Sequence, residues 1–216
     1  MNKIALILSG CGQHDGSEIQ ETTLTLLALE QNHIKWEAFA PNIPQVQVID
    51  HSNNKNMQET RNVLVESARL VRGKIRDLKQ ADVDNYDAII IPGGLGVVTN
   101  LCDYYTKGVD FTLQDDFKKF ISKASKTKIP TAFICIAPVM IPKIYSNSPR
   151  MTIGNDVKIA DQMRSLGAVH IDCIAEEVVK DHENKIISTP ANMVAKNIKQ
   201  VYQGISKLIS SLVGFI

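Results

Sequence analysis

Residues 131–140 read TAFICIAPVM, and this stretch decides the fold class. Its first four residues have the apolar or β-branched character of a strand buried on both faces, and a helix over about residues 136–144 follows at once. Pro138 suits the first turn of that helix, where no intrahelical hydrogen bond needs its missing N–H. Cys135 is therefore predicted to stand on a sharp strand-to-helix turn, the geometry of a nucleophile elbow.

Two interpretations of Cys135 follow from this position. A helix N-terminus stabilises a thiolate and lowers the pKa of a cysteine, which favours a reactive nucleophile. A free cysteine at the end of a strand is also commonly buried and inert. The spacing alone leaves both interpretations open.

Strand and helix patterns alternate on both sides of this elbow. The strand patterns lie at residues 4–8, 36–40, 88–91, 131–134, 168–171 and 185–188. The helical patterns lie after Ser17, which is a plausible N-cap, and at residues 63–70, 113–124, 136–144, 157–166 and 192–212. This order predicts an α/β protein with a mainly parallel sheet that is covered on both faces. The absence of repeats and linker-like segments predicts one domain over residues 1–216.

The composition excludes several functional classes. The 216 residues include 24 Lys+Arg and 23 Asp+Glu, and the net charge of +1 gives no general attraction to nucleic acid or to an anionic membrane. The apolar runs are too short to span a bilayer, and the N-terminus lacks the apolar core and cleavage site of a signal peptide. We therefore expect a cytoplasmic protein with no nucleic-acid or membrane partner.

The four cysteines have no CxxC spacing. In a cytosolic chain of this length, that pattern indicates free thiols and not a disulfide framework or a zinc site. We assign Cys102 and Cys173 to structural roles, and we expect no metal.

In open α/β sheets the ligand site lies beyond the carboxyl ends of the strands. This rule selects three loops, at residues 9–18, 92–97 and 135–138. Gly93 and Gly94 leave backbone N–H groups uncovered, and these groups could form an oxyanion hole together with the N–H of Ile136. An ordinary turn after a strand is the alternative.

The first of these loops contains further candidates. Glu18 is either a helix-capping acid or, if its helix points into the cleft, a carboxyl beside Cys135 that donates and accepts a proton. Cys11 and His14 are candidate lining residues, although a structural cysteine and a surface histidine are the more ordinary interpretations. The glycines are spaced GxGxxxG and no acid ends the second strand, which argues against dinucleotide binding, so we expect no cofactor.

Four motifs in order carry a resemblance to a known family. They are SGCG at residues 9–12, DGSE at 15–18, IPGG at 91–94 and CIAP at 135–138. Their combination resembles the ElbB-like proteins, which are isoprenoid-biosynthesis-like proteins with an amidotransferase-like domain in the PfpI/ThiJ superfamily. Similar stretches at residues 59–64, 152–154 and 188–191 extend the resemblance over essentially the whole chain.

The resemblance implies a flavodoxin-like, three-layer αβα sandwich that is usually a homodimer. It implies Cys135 as the elbow nucleophile, Glu18 as its carboxyl partner, and Gly94 and Ile136 as backbone oxyanion donors. ElbB-like proteins are described as cofactor-free glyoxalases, a type of lyase, that convert glyoxal to glycolate. The resemblance therefore predicts a glyoxalase that acts on glyoxal or a similar small 2-oxoaldehyde through a cysteine hemithioacetal.

The sequence departs from two related groups. Glutamine amidotransferases place a histidine and an acid late in the chain, and the matching stretch here, residues 188–191, has neither. PfpI-type proteases carry a histidine directly after the cysteine, where this chain has Ile136. Both departures argue against glutaminase and protease activity, because the base that such acyl transfer uses is missing.

A second function of a different class remains open. A reactive Cys135 also fits a redox-responsive or partner-binding protein, in which the thiol is oxidised once and does not turn over. The same residues serve both hypotheses, and only turnover separates them.

Overall fold

The computed structural model describes residues 2–216. The strands found there are β1 (Lys3–Ile7), β2 (Lys35–Ala40), β3 (Ile49–Asp50), β4 (Lys55–Asn56), β5 (Ile75–Asp77), β6 (Ala88–Ile91), β7 (Thr131–Ile134), β8 (Arg150–Met151), β9 (Val169–His170), β10 (Val179–Asp181) and β11 (Ile186–Thr189). The α-helices are α1 (Ile19–Gln31), α2 (Val63–Leu70), α3 (Tyr104–Lys107), α4 (Asp115–Lys126), α5 (Ile141–Ile144), α6 (Val157–Ser165) and α7 (Ile198–Val213).

One sheet of seven strands organises the molecule, in the order β10-β11-β7-β6-β1-β2-β5. Its neighbouring strands are parallel, except that β10 pairs antiparallel with β11. Helix α1 contacts α2 and α7, and α4 contacts α5. This is the three-layer, flavodoxin-like α/β arrangement, and the predicted fold class is confirmed.

The centre of the sheet is apolar for a simple reason. Strands β6 and β7 are buried at every residue, and β1 is buried at every residue except Lys3. A strand covered on both faces has no solvent side, so its apolar residues run continuously and do not alternate. Because β1, β6 and β7 are parallel neighbours, the loops that follow them meet at one edge of the sheet.

Two segments differ from the predicted pattern. The polar stretch at residues 50–56 lies outside every predicted strand and helix, yet it contains part of the short hairpin β3–β4, in which the Asp50 carboxylate accepts hydrogen bonds from the backbone N–H and hydroxyl of Ser52. The predicted helix at residues 136–144 is a 3₁₀ turn over Ala137–Met140 followed by the single turn α5. Pro142 explains this break, because it removes an N–H that a continuous helix would need, whereas Pro138 lies in the first turn.

The last predicted helix begins later than expected. Residues 191–193 form a separate 3₁₀ turn, and α7 begins at Ile198 behind Asn197, whose side chain accepts the N–H of Gln200 at 3.1 Å. The edge strands β5 and β10 escaped prediction because both are three residues long and carry charged residues. No helix among residues 2–216 combines the length and the apolarity needed to cross a membrane.

Candidate active site

Cys135 occupies a strained position at the carboxyl end of β7. Its φ is +62°, in the left-handed region that non-glycine residues rarely adopt. Its N–H donates to the carbonyl of Thr189 at 2.9 Å, which ties this turn to the neighbouring strand β11. The side chain is buried, with 7% of the residue exposed. A sharp turn of this kind directs a side chain away from the strand and over the edge of the sheet.

Glycine is required at the two positions that face this turn. A Cβ at Gly93 would overlap the Cβ of Cys135 and lie 2.6 Å from Oε2 of Glu21. Gly94 has a φ of +98°, and a Cβ there would lie 2.5 Å from the backbone nitrogen of Glu18. The loop after β6, the elbow and the start of α1 therefore approach one another more closely than any side chain at these positions would permit.

Glu21 is the carboxyl group that contacts the thiol. It is fully buried and hydrogen-bonded to the Cys135 side chain. Its Oε2 accepts the N–H of Gly93 at 3.0 Å, and its Oε1 accepts the N–H of Asn192 at 3.3 Å. Burial, followed by the nearby charge of Glu18, raises the pKa of Glu21 to about 7. Glu21 is therefore able to take up and release a proton at neutral pH.

Glu18 has a different position from the one assigned to it by sequence. It is the N-cap of α1, and its Oε2 accepts the N–H of Glu21 at 2.7 Å and the side-chain N–H of Asn192 at 3.2 Å. The structure thus gives Glu18 the capping role and gives Glu21 the contact with Cys135. Ser17, the predicted N-cap, instead accepts the N–H of Ser9 with its hydroxyl at 2.9 Å.

The contact of Glu21 was missed because the sequence does not show which face of α1 is buried. The apolar residues Ile19 and Leu27 are both about half exposed. The buried residues of α1 are Glu21, Thr22, Thr25, Ala28 and Leu29. The available signal was the spacing of three between the two glutamates, which puts a second acid one turn further along the same helix.

Two backbone N–H groups are directed to the sulfur of Cys135. They belong to Gly94 and Ile136, the residues predicted as oxyanion donors, and they favour the thiolate. Burial and the carboxyl of Glu21 act in the opposite direction and prevail, so the pKa of Cys135 is raised well above its usual value. A helix N-terminus was expected to lower this pKa. Only a 3₁₀ turn follows the elbow, so this lowering effect is small and burial and Glu21 outweigh it.

Cys11 and His14 make their contacts on the other side of the first loop. Cys11 is half-buried, and burial and the charge of Glu66 on α2 raise its pKa. The ring of His14 lies 4.9 Å from the ring of His51 in the β3–β4 hairpin, and the His14 N–H donates to Nε2 of His51 at 3.2 Å. Neither residue is therefore among the groups that bond to Cys135 or Glu21.

All four cysteines are free thiols, as predicted. The sulfur of Cys102 contacts the carbonyl of Val97 at 3.5 Å, and the sulfur of Cys173 contacts the carbonyl of Ile174 at the same distance. Within residues 2–216, no group of three or more His, Cys, Asp or Glu side chains is arranged to hold a metal ion.

The fold and the buried thiol–carboxyl pair define an amidotransferase-like α/β protein with a cysteine at a strand end. No family model matches the sequence. The chain is 35% identical over 219 residues to the human protein named glutamine amidotransferase-like class 1 domain-containing protein 3, mitochondrial, and the match covers 96% of this chain and 81% of that protein. It is 34% identical over 220 residues to the ES1 protein homolog, mitochondrial, of Rattus norvegicus, covering 97% of this chain and 82% of that protein.

A solved structure matches along the full length. It is an isoprenoid biosynthesis protein with an amidotransferase-like domain from Ehrlichia chaffeensis, with a TM-score of 0.94, 36% identity, and coverage of 100% of this chain and 99% of that chain. DJ-1 superfamily structures share the fold at lower identity. The chain belongs to the ElbB-like (ES1) family of amidotransferase-like proteins, and the predicted family is confirmed.

The relatives contradict the predicted localisation. The human and rat proteins are both named as mitochondrial, which overturns the expectation of a cytoplasmic protein. That expectation rested on the lack of a signal peptide and of a membrane-spanning run. Neither property distinguishes a cytosolic protein from a protein of the mitochondrial interior.

Proposed function

We propose that this protein is a cofactor-independent glyoxalase that converts glyoxal, or a similar small 2-oxoaldehyde, to a 2-hydroxy acid at Cys135. The observation that carries the proposal is the buried contact between the Cys135 thiol and the Glu21 carboxyl. A carboxyl whose pKa is about 7 exchanges protons in both directions at neutral pH, which an isomerisation between adjacent carbons requires.

The first half of the reaction forms a hemithioacetal. Glu21, as the carboxylate, accepts the thiol proton while the sulfur of Cys135 bonds to one aldehyde carbon of glyoxal. The electron pair of that carbonyl moves to its oxygen, and the N–H groups of Gly94 and Ile136 lie at the sulfur, next to where this oxyanion develops. Glu21 then returns the proton to the oxygen and is a carboxylate again.

The second half moves a proton between the two carbons. Glu21 removes the C–H proton of the hemithioacetal carbon, which gives an enediolate, and delivers this proton to the neighbouring carbon. The hydroxyl proton of the first carbon passes to the oxygen of the second, so the first carbon becomes a carbonyl and the second carries a hydroxyl. The product of this step is a glycolyl thioester of Cys135: one carbon has been oxidised and the other reduced, so no external oxidant is needed. Water cleaves the thioester, which releases glycolate and restores the thiol.

The same contact argues against glutaminase chemistry. The name of the human relative refers to glutamine amidotransferases, in which an imidazole serves as the base for acyl transfer. In this chain the group bonded to the thiol is the carboxyl of Glu21. A carboxyl with a pKa of about 7 suits proton exchange on carbon, whereas it is a poor acid for expelling ammonia from an amide.

The raised pKa of Cys135 also bears on the redox-sensor alternative. Peroxide reacts with thiolates, and a thiol whose pKa is raised by burial and by a neighbouring carboxyl is seldom ionised at rest. In the glyoxalase mechanism the thiol loses its proton only as the carbon–sulfur bond forms, so a resting thiolate is unnecessary. This difference favours turnover over stoichiometric oxidation.

The experiment measures glycolate formed from glyoxal by the purified, metal-free protein and by Cys135→Ala, Glu21→Gln and Cys173→Ala. The proposal predicts many glycolate molecules per protein in the wild type and in Cys173→Ala, a loss of at least ~10³-fold in Cys135→Ala, and a loss of about 10²-fold or more in Glu21→Gln. Wild-type turnover equal to that of Cys135→Ala would refute it. In that case, peroxide titration with an intact-mass readout would test the redox function.

A further inference from the structure

We propose that Glu18 is a charge filter beside the reacting thiol: its fixed carboxylate favours the approach of uncharged carbonyl compounds to Cys135 and repels anionic ones. The inference rests on the proposed function in one respect, since it takes Cys135 as the reacting thiol. It assigns to Glu18 a specificity-determining role that differs from both capping alone and proton transfer.

Asn192 holds the two glutamates side by side. Its side-chain N–H donates to Oε2 of Glu18 at 3.2 Å, and its backbone N–H donates to Oε1 of Glu21 at 3.3 Å. The N–H of Glu21 also donates to Oε2 of Glu18 at 2.7 Å. Glu21 in turn bonds to the thiol of Cys135. Glu21 is therefore the residue that connects the fixed carboxylate of Glu18 to the reacting sulfur.

No basic side chain neutralises this pair. Among residues 2–216, no Lys, Arg or His nitrogen lies within 4.0 Å of the carboxyl group of Glu18 or Glu21. The other buried glutamate, Glu66, contrasts with them because Arg69 and Arg61 lie 3.0 Å and 3.6 Å from its Oε2. Within residues 2–216, the charge of this pair therefore has no cationic side chain at ion-pairing distance to offset it.

Glu18 also occupies the position where an anion would otherwise bind. The N-terminus of a 13-residue helix such as α1 attracts anions through its free N–H groups and its dipole. The carboxylate of Glu18 already takes the N–H of Glu21. An anionic substrate would thus lose an attractive site and meet a like charge instead.

The charge filter suits both the substrate and the product of the proposed reaction. Glyoxal is uncharged and enters without penalty. Glycolate is an anion, so the repulsion that excludes anionic substrates also weakens the binding of the product. An acid such as glyoxylate, which carries an aldehyde beside a carboxylate, would be a poor substrate although it is nearly as small as glyoxal.

Paired alkylation tests the filter without relying on turnover. Iodoacetamide and iodoacetate are similar in size and differ in charge, and peptide mass spectrometry follows the alkylation of each cysteine separately. The preference of a cysteine is the ratio of its alkylation rate with iodoacetamide to its rate with iodoacetate. In the wild type we expect this preference to be roughly tenfold larger at Cys135 than at Cys173, which serves as an internal reference. In Glu18→Gln the preference at Cys135 should fall roughly tenfold while that at Cys173 stays the same. An unchanged preference at Cys135 would overturn the proposal.

Two further variants separate charge from capping. Glu18→Asp keeps the negative charge and a good N-cap, and it should retain most of the wild-type preference. Glu30→Gln removes a charge from the exposed end of the same helix and should change nothing at Cys135. Loss of the preference in Glu18→Asp equal to that in Glu18→Gln would reject a role for charge. A charge preference at Cys135 without glycolate formation would refute the proposed function and leave the filter standing.

Discussion

Two glutamates at opposite ends of the sheet have opposite environments. Glu37, near the start of β2, is bonded to Lys3 at 2.8 Å and to Arg76 and Tyr86 at 2.5 Å each, and these contacts lower its pKa to about 2. Glu21, at the carboxyl end of the sheet, is buried beside a second acid, and its pKa is raised to about 7.

The comparison supports the proposal that the reaction takes place at the carboxyl end of the sheet. At Glu37 every neighbour stabilises the charged form, as expected for a residue whose contribution is to stability. At Glu21 burial and Glu18 oppose the charged form, and folding gains nothing from this arrangement. Buried acids with strongly raised pKa values cluster at functional sites, and a pKa of about 7 suits the proton-transfer role proposed for Glu21.

The largest expected effect concerns activity in matched variants. Glu21→Gln should lower the kcat of glycolate formation by about 10²-fold or more, because the amide cannot carry the proton. Glu37→Gln makes the same chemical change in the other environment and should leave kcat within about twofold of the wild type. Steady-state kinetics of the two variants measures this difference. Equal losses of kcat would show that the environment of Glu21 gives it no special role in the reaction.

The next effect concerns stability and its dependence on pH. The folded protein binds a proton at Glu21 that the unfolded chain releases near pH 4.5, so the contribution of Glu21 to stability falls as pH rises from 4.5 to about 7. Glu21→Gln should therefore raise the free energy of unfolding by about 3 kcal/mol at pH 8 and by less than about 1 kcal/mol at pH 5. Urea unfolding at both pH values measures this, and destabilisation at pH 8 would contradict the raised pKa.

Glu37→Gln should show the opposite sign. The pKa of Glu37 is lowered, so its stabilising contribution is present above its unfolded value of 4.5 and is lost as pH falls toward 2. The variant should be less stable than the wild type at pH 7, and the difference should shrink on acidification below pH 4.5. A difference that grew as the pH fell would show that Glu37 is not held in its charged form.

The smallest expected effect is a shift of the pH profile. In the wild type, kcat/KM should rise with a midpoint near pH 7, as Glu21 becomes the carboxylate that accepts the thiol proton. Removing the neighbouring charge in Glu18→Gln should lower this midpoint by about one unit. A midpoint that moved upward or stayed in place would show that Glu18 does not act on Glu21.

Much of the fold could be predicted from the sequence because its central strands are buried on both faces. Strands β6 and β7 were predicted at their observed limits, since continuous apolar runs between turn signals leave few alternatives. The short strands at the edges could not be found in this way. Residues such as Arg76 in β5 are placed by pairing with β2, a long-range contact with no local signal.

The site was less predictable because its contacts join distant segments. The elbow at Cys135 has a local signature, but the choice between Glu18 and Glu21 depends on which face of α1 meets the sheet. Asn192 lies 171 positions after Glu21 in the sequence, on a 3₁₀ turn that follows β11. Nothing in the sequence around Asn192 indicates hydrogen bonds to two glutamates near the start of the chain.

The titration of the Glu21 carboxyl tests the central claim most directly. Carbon-13 NMR of protein labelled at the glutamate side-chain carboxyls, with Glu21→Gln to assign the resonance, follows its ionisation in the resting protein. We expect a midpoint near pH 7, lost or clearly displaced in Cys135→Ala, because the thiol bonds to this carboxyl. A midpoint near 4.5, unaffected by Cys135→Ala, would show that Glu21 is an ordinary acid and would contradict the proton-transfer role assigned to it.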